Sequence, residues 1–397
     1  MNKKNFTQWY TGLIFFVMFI YGINNQAIGT LITNIIEHYG IRMAQAGLLS
    51  SFTSVGNFAA LFVVTIFTGR INKIILMGGS LFFFAVSLFI LSYAPPFSIV
   101  LISFAFIGVF GATTDTLTNS LIADLMPDNI SRNLSLLHGL YGLGGLCGPI
   151  IIDRFVGSFS WAQVYFAVSM VYIVYLTVYA LFAKWQWSLL TIRISNERQT
   201  RIIFSDIANF FANKQHVLLW VAMFFYAGNQ ATLAVWIKRY VDTHLNVPLW
   251  GAYALSAMWL GTAICRLLIS PNIKASSSLK ICAGNFISAV AIIAGLLNGS
   301  APGITVASLA VGLSSGLTIP LVMAIGCEWY PEKTTLGTVM PFTAFYISAV
   351  IFPPLSGFIS DSMGIPWGVG VGAVSAFLTA VFSGMLYAGE MSGTKNP

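Results

Sequence analysis

The chain has 397 residues, of which 57% are hydrophobic and only 8% charged. Soluble domains carry about 25% charged residues, so this composition excludes an ordinary soluble protein and points into a lipid bilayer. The net charge of +7 does not indicate a nucleic-acid partner, because the basic residues are scattered over short loops rather than gathered in a patch.

Taken in chain order, Lys3 and Lys4 precede a long apolar run that starts at Trp9. No small-residue cleavage site follows and the run is long enough to span, so it is expected to be an uncleaved first helix rather than a signal peptide. Twelve apolar stretches long enough to span as helices are predicted near residues 10–33, 46–68, 73–93, 97–122, 134–156, 162–183, 216–240, 250–270, 279–298, 303–327, 336–359 and 366–388. Ala94, Pro95 and Pro96 mark the tightest turn, between the third and fourth. The longest polar segment, Lys184 to Gln215, divides the chain into a six-helix bundle over 1–183, a linker over 184–215 and a second bundle over 216–397. Within that linker, the stretch near Ile202–Phe211 alternates apolar and polar residues loosely and is a candidate surface helix. Cys147, Cys265, Cys282 and Cys327 all fall in predicted spans without metal-ligand spacing, so they are expected to be small buried residues. With the N-terminus inside, and Arg266 near the inner end of the eighth helix left uncounted, fourteen Lys and Arg fall on the cytoplasmic side and four (Arg42, Arg154, Lys238, Arg239) on the other. That bias places both termini in the cytoplasm of a multi-pass protein of the inner (plasma) membrane.

The two halves repeat. At a constant offset of 205 residues, Tyr21 meets Tyr226, Asn24 meets Asn229, Gly56 meets Gly261, Gly111 meets Gly316, Tyr141 meets Tyr346 and Pro149 meets Pro354. An offset kept across four helix pairs, with a shared Tyr-x-x-Asn, implies two pseudo-symmetric bundles.

The residues that could carry chemistry lie within these spans. Asp115 sits in an otherwise uncharged stretch, Ile99 to Ala123. A carboxylate at that depth costs about 2.5–3.5 kcal/mol on insertion scales, and residues kept at such a cost serve ions, protons or polar substrates. Asn119 shares its helix face one turn on. Nine residues separate Asp115 from Asp124 at the helix end, roughly 13 Å, too far for a short side chain to reach the interface. Asp115 is therefore a candidate proton carrier, and His138 at the start of the fifth helix a candidate relay. The fourth and fifth helices thus hold the proton-coupling candidates. Asn24, Asn25 and Gln26 in the first helix, and Asn229 and Gln230 in the seventh, offer amide donors and acceptors suited to the hydroxyls of a polar solute. Helix-to-helix bonding is the alternative use of such amides. Among the aromatic residues, Tyr21, Tyr141, Phe225, Tyr226, Trp236, Trp259 and Tyr346 are candidates to stack on a solute's apolar faces. In the fifth helix, Gly144-x-x-x-Gly148 permits close helix approach, and Pro149 and Pro354 introduce kinks. Arg266 and Glu328 either form an inner gate or reach to water separately.

Enzyme signatures are missing. The sequence contains no phosphate-binding Gly-x-x-x-x-Gly-Lys-Ser/Thr loop, His-Glu-x-x-His or Cys-x-x-Cys, so neither an enzyme nor an ATP-driven pump is expected, and no cofactor or metal.

The segment Gly108 to Pro149, with Asp115, Asn119, His138, Gly142, Gly144 and Pro149, resembles the fucose permease-like sugar–proton symporters of the major facilitator superfamily. The seventh helix (FFYAGNQATLAVWI), the eighth (MWLGTAICRLL) and the tenth and eleventh extend the likeness over most of the chain. The resemblance implies an all-α integral membrane protein of twelve transmembrane helices in two six-helix bundles. It also implies a monomer that moves a small polar solute, a sugar or polyol, by alternating access with protons as partners. The sequence departs from the family at Gln230, where an acid is usual, and in the loop after the second helix, where only Gly69, Arg70 and Lys73 survive of the signature. Proton coupling would then fall to Asp115 nearly alone. A drug or metabolite exporter of the same fold, and a non-transporting sensor or scaffold, are the competing expectations.

Overall fold

The computed structural model describes residues 3–67, 70–126, 130–185, 204–266 and 276–393. The first predicted span is two helices, α1 (Lys3–Asn25) and α2 (Ala27–Tyr39), that meet at Gln26. There the Gln26 N–H reaches back only three residues, to the Ile23 carbonyl at 3.2 Å. The Gln26 carbonyl accepts both the Thr30 N–H (3.1 Å) and its hydroxyl (2.8 Å). Then follow α3 (Met43–Phe67), α4 (Lys73–Leu91), α5 (Phe97–Leu125), α6 (Ile130–Val156) and α7 (Trp161–Trp185). The Ala94–Pro96 turn forms as expected, with Ala94 at a φ of 48° and Pro96 capping α5. Beyond it come α8 (Phe204–Ala212), α9 (Lys214–Arg239), extended by a wide turn over Tyr240–His244, and α10 (Trp250–Ile264). The chain closes with α11 (Ser277–Asn298), α12 (Ala301–Ser315), α13 (Thr318–Trp329), α14 (Thr334–Met363) and α15 (Ile365–Gly393).

Eleven segments among the described residues are long and apolar enough to cross a membrane. The difference from the twelve expected lies at the eighth span: α10 covers its first part, and residues 267–270 lie outside the described residues. The linker helix expected near Ile202–Phe211 is α8; residues 186–203 of the linker lie outside the described residues.

The chain divides into two compact units, one of residues 1–39 and 52–199, the other of residues 40–51 and 200–397. In the first unit, α1 packs along α6 through glycines. A Cβ on Gly22 would collide with the Tyr141 carbonyl, and one on Gly144 with the Phe19 carbonyl. Gly148 also lies against Ile23, so the Gly144-x-x-x-Gly148 pattern does serve close helix approach. Tyr10 and Tyr179 share a hydrogen bond of 3.0 Å in the core, and the Tyr179 hydroxyl also donates to the Ile74 carbonyl at 3.1 Å. Lys73 at the start of α4 pairs with Asp124 at 2.7 Å.

In the second unit, Asp361 near the end of α14 accepts the N–H groups of Met43 (3.0 Å) and Ala44 (2.9 Å), an N-cap for α3. The helix α8 is fastened by Phe210, which is fully buried, stacks on His216 (5.0 Å) and also meets Tyr330. A salt bridge from Lys333 to Asp206 at 2.7 Å holds its start. Burial, with the Asp206 carboxylate nearby, pushes the Tyr330 phenol above its ordinary pKa.

Between α12 and α13 the helical run is interrupted at Gly316–Leu317. Pro320 has no N–H to return to the Gly316 carbonyl. Arg266, two residues past α10, supplies the donor instead, its Nε reaching that oxygen at 2.9 Å.

Candidate functional site

The first unit brings most of its predicted site residues into one wall built by α1, α5 and α6. Asp115 is half-buried on α5. The Asn119 amide donates to the Asp115 backbone carbonyl at 2.8 Å and to its carboxylate at 3.3 Å, while the Thr118 hydroxyl donates to the same backbone carbonyl at 2.7 Å. One helical turn thus ties down the acid, as the spacing of Asp115 and Asn119 predicts. His138 is exposed on α6 and lies within electrostatic range of the Asp115 carboxylate. The neighbouring helices α5 and α6 thus contribute an acid and an imidazole that interact electrostatically.

The same wall continues along α6 and α1. Tyr141, one turn past His138, accepts a hydrogen bond from the Asn25 amide. Its ring lies 5.9 Å from that of Tyr21, which sits 6.0 Å edge-on from Phe84. Tyr21 leans over Gly111, where a Cβ would come 2.9 Å from its ring. Gly111 is one turn before Asp115, so a small residue there lets the tyrosine reach the acid's helix face. The break at Gln26 separates the amides. Asn25 is exposed, whereas Asn24 and Gln26 are buried at 6% and 3% exposure. Amide, phenols, carboxylate and imidazole together give hydrogen-bonding groups and an aromatic face side by side.

In the second unit the candidates separate. Asn229 is fully buried on α9 and donates to the Ser288 hydroxyl of α11 at 3.3 Å. Its neighbour Gln230 is half-buried and donates to Ser315 of α12 at 3.4 Å. Trp236 is fully buried, its indole N–H donating to the Pro353 carbonyl at 3.1 Å. Tyr346 is half-buried on α14 and stacks on Phe342 at 6.1 Å. Asn229 and Trp236 thus hold neighbouring helices, while Gln230 and Tyr346 keep accessible surface. Glu328 is exposed, and among the described residues no ion pair joins it to Arg266. No group of three or more His, Cys, Asp or Glu able to hold a metal is found among the described residues.

The sequence profile of the Major Facilitator Superfamily matches residues 14–274. The chain belongs to the Major Facilitator Superfamily. No curated protein matches it by sequence. Among solved structures, this superfamily member is similar to a peptide transporter, POT, in complex with alafosfalin: 10% identity, a TM-score of 0.78, and 97% and 98% of the two chains covered. It is also similar to a bacterial homolog of the human lysosomal transporter Spinster, at 16% identity and a TM-score of 0.70, covering 96% of each chain. The fucose:proton symporter FucP of E. coli superposes at a TM-score of 0.61 with 15% identity, covering 96% of this chain and 99% of that one. These likenesses give the all-helical transporter fold. The resemblance to the fucose permease group, read first from Gly108 to Pro149, stands beside a FucP structure that shares nearly the whole chain length.

Proposed function

We propose that this superfamily transporter moves a small polar solute, a sugar or polyol, together with protons, by alternating access. The observation that carries this reading is the wall of the first unit, where Asn25 and Tyr141 adjoin Tyr21 and the Asp115–Asn119 pair lies within electrostatic range of His138. Asp115 takes the proton, Asn119 holds its carboxylate in place, and His138 passes protons to and from it. Asn25 and Tyr141 bind hydroxyls of the solute, and Tyr21 and Tyr141 offer aromatic faces to its C–H surface. In the second unit Gln230 and Tyr346 are the solute ligands we favour, with Asn229 and Trp236 acting as packing residues. The Lys and Arg distribution supports both termini being cytoplasmic in the inner membrane.

The test is uptake by the purified full chain in proteoliposomes. Labelled sugars and polyols are offered with and without an inward proton gradient. Accumulation above equilibrium that appears only with the gradient supports the proposal. Downhill equilibration alone, or accumulation of apolar drugs but no sugar or polyol, overturns it.

A further inference from the structure

A groove of about 690 Å³ lies between α4 and α7, away from the Asp115 wall. Ile75, Gly78 and Phe82 form one side, and Leu176, Ala180 and Lys184 the other. Both helices are long and apolar enough to cross a membrane. Ile75 and Phe82 are 55% and 50% exposed, so this face meets hydrocarbon rather than protein within its unit. Gly78 makes the concavity, since the side chain that would fill it is absent. Tyr179 shows the groove only its ring, because its hydroxyl is turned inward to Tyr10 and the Ile74 carbonyl.

Polarity is confined to one end. Lys184 is exposed in the last turn of α7 and is the charged residue of the lining. Ile74 and Ile75, in the first turn of α4, line the same end of the groove as Lys184, and the α4 N-terminus there is capped by Asn72, whose side chain accepts the Ile74 N–H at 2.9 Å. A long apolar slot with cationic character at one end matches an amphiphile whose tail is hydrocarbon and whose head is an anion.

We propose that this groove is a binding site for an anionic phospholipid, with an acyl chain between α4 and α7 and the phosphate head at Lys184. The chain is held by burial along Gly78 and Ala180, and the head by the ammonium group of Lys184. Lys73 does not compete for the head, since it is paired with Asp124. The site is independent of solute transport and of the Asp115 wall.

The experiment is native mass spectrometry of the purified, delipidated full chain titrated with phosphatidylglycerol or with phosphatidylcholine of the same acyl chains. The wild-type protein is expected to retain phosphatidylglycerol in preference to phosphatidylcholine. Lys184→Gln is expected to remove that preference, weakening phosphatidylglycerol about fivefold and leaving phosphatidylcholine unchanged. Gly78→Leu is expected to lower retention of both lipids. A Cβ at Gly78 meets only the Tyr179 ring, at 3.5 Å, so the added side chain grows into the groove without displacing backbone. Ala180→Phe fills the groove from the opposite wall and serves if Gly78→Leu fails to fold. The proposal is overturned if the wild type shows no headgroup preference, if Lys184→Gln keeps it or weakens both lipids equally, or if a folded groove-filling variant retains both lipids as the wild type does.

Discussion

Arg266 gives a sharp test of how the α12–α13 break is held. Replacing it with alanine removes the Nε donor that meets the Gly316 carbonyl at 2.9 Å. Pro320 has left that carbonyl without its helical partner, so nothing in its own helix takes over. A charged donor is worth about 1.5–3 kcal/mol in soluble proteins, but hydrogen bonds between membrane helices average about 0.6 and reach about 1.7 kcal/mol. We therefore expect Arg266→Ala to cost about 1–1.5 kcal/mol. Pro320→Ala restores a backbone N–H to the Gly316 carbonyl. In that background the arginine is redundant at this oxygen, and its removal costs less by about 0.5–1 kcal/mol. The assay is equilibrium unfolding in mixed micelles of wild type, both single variants and the double variant. If the two costs add to within about 0.3 kcal/mol, the arginine does not replace the missing proline donor and the reasoning fails.

Three further outcomes follow from the packing and the site. Gly144→Leu drives a side chain into the Phe19 carbonyl on α1 and should abolish or severely lower the yield of monodisperse protein on size exclusion, whereas Gly142→Ala, with no neighbour near its Cβ, should be neutral. Asp361→Ala removes both acceptors at the start of α3 and should destabilise by about 1 kcal/mol, with Asp361→Asn milder because its amide oxygen still accepts one of the two N–H groups; equal thermal shifts for both would contradict the cap. Tyr141→Phe removes the hydroxyl that pairs with Asn25 and should raise the KM for solute severalfold with folding intact; an unchanged KM would remove Tyr141 from the site.

Much of this was legible in the chain because it depends on spacing along single helices. Asp115 and Asn119 had to share a face, and the structure joins them by two hydrogen bonds. Gly144 and Gly148 had to leave a groove, and α1 fills it. Helix rotation was not legible. Asn24 and Asn229 correspond in the repeat, and adjacent amides in each helix point to different surroundings. A step of one residue turns a side chain by about 100°, so Asn25 is exposed while Asn24 is buried, and Gln230 keeps surface while Asn229 meets Ser288. Which residue of a pair faces inward depends on the neighbouring helix, which repetition in sequence does not reveal. Pro320 frees the Gly316 carbonyl, and the donor that meets it, Arg266, lies fifty residues earlier in the chain, a pairing that no local spacing reveals. Tyr21 was one of seven aromatic candidates, and its place over Gly111 and beside Tyr141 came only from the packing of α1 on α5 and α6.

The central claim is that Asp115 carries the coupled proton, and its most direct test is Asp115→Asn in proteoliposomes. Asparagine keeps the size of the side chain and its bond to Asn119 while removing the titrating group. In the variant, gradient-driven accumulation is expected to be lost while solute exchange across the membrane without a gradient persists. Accumulation that remains driven by the proton gradient in the variant would contradict it.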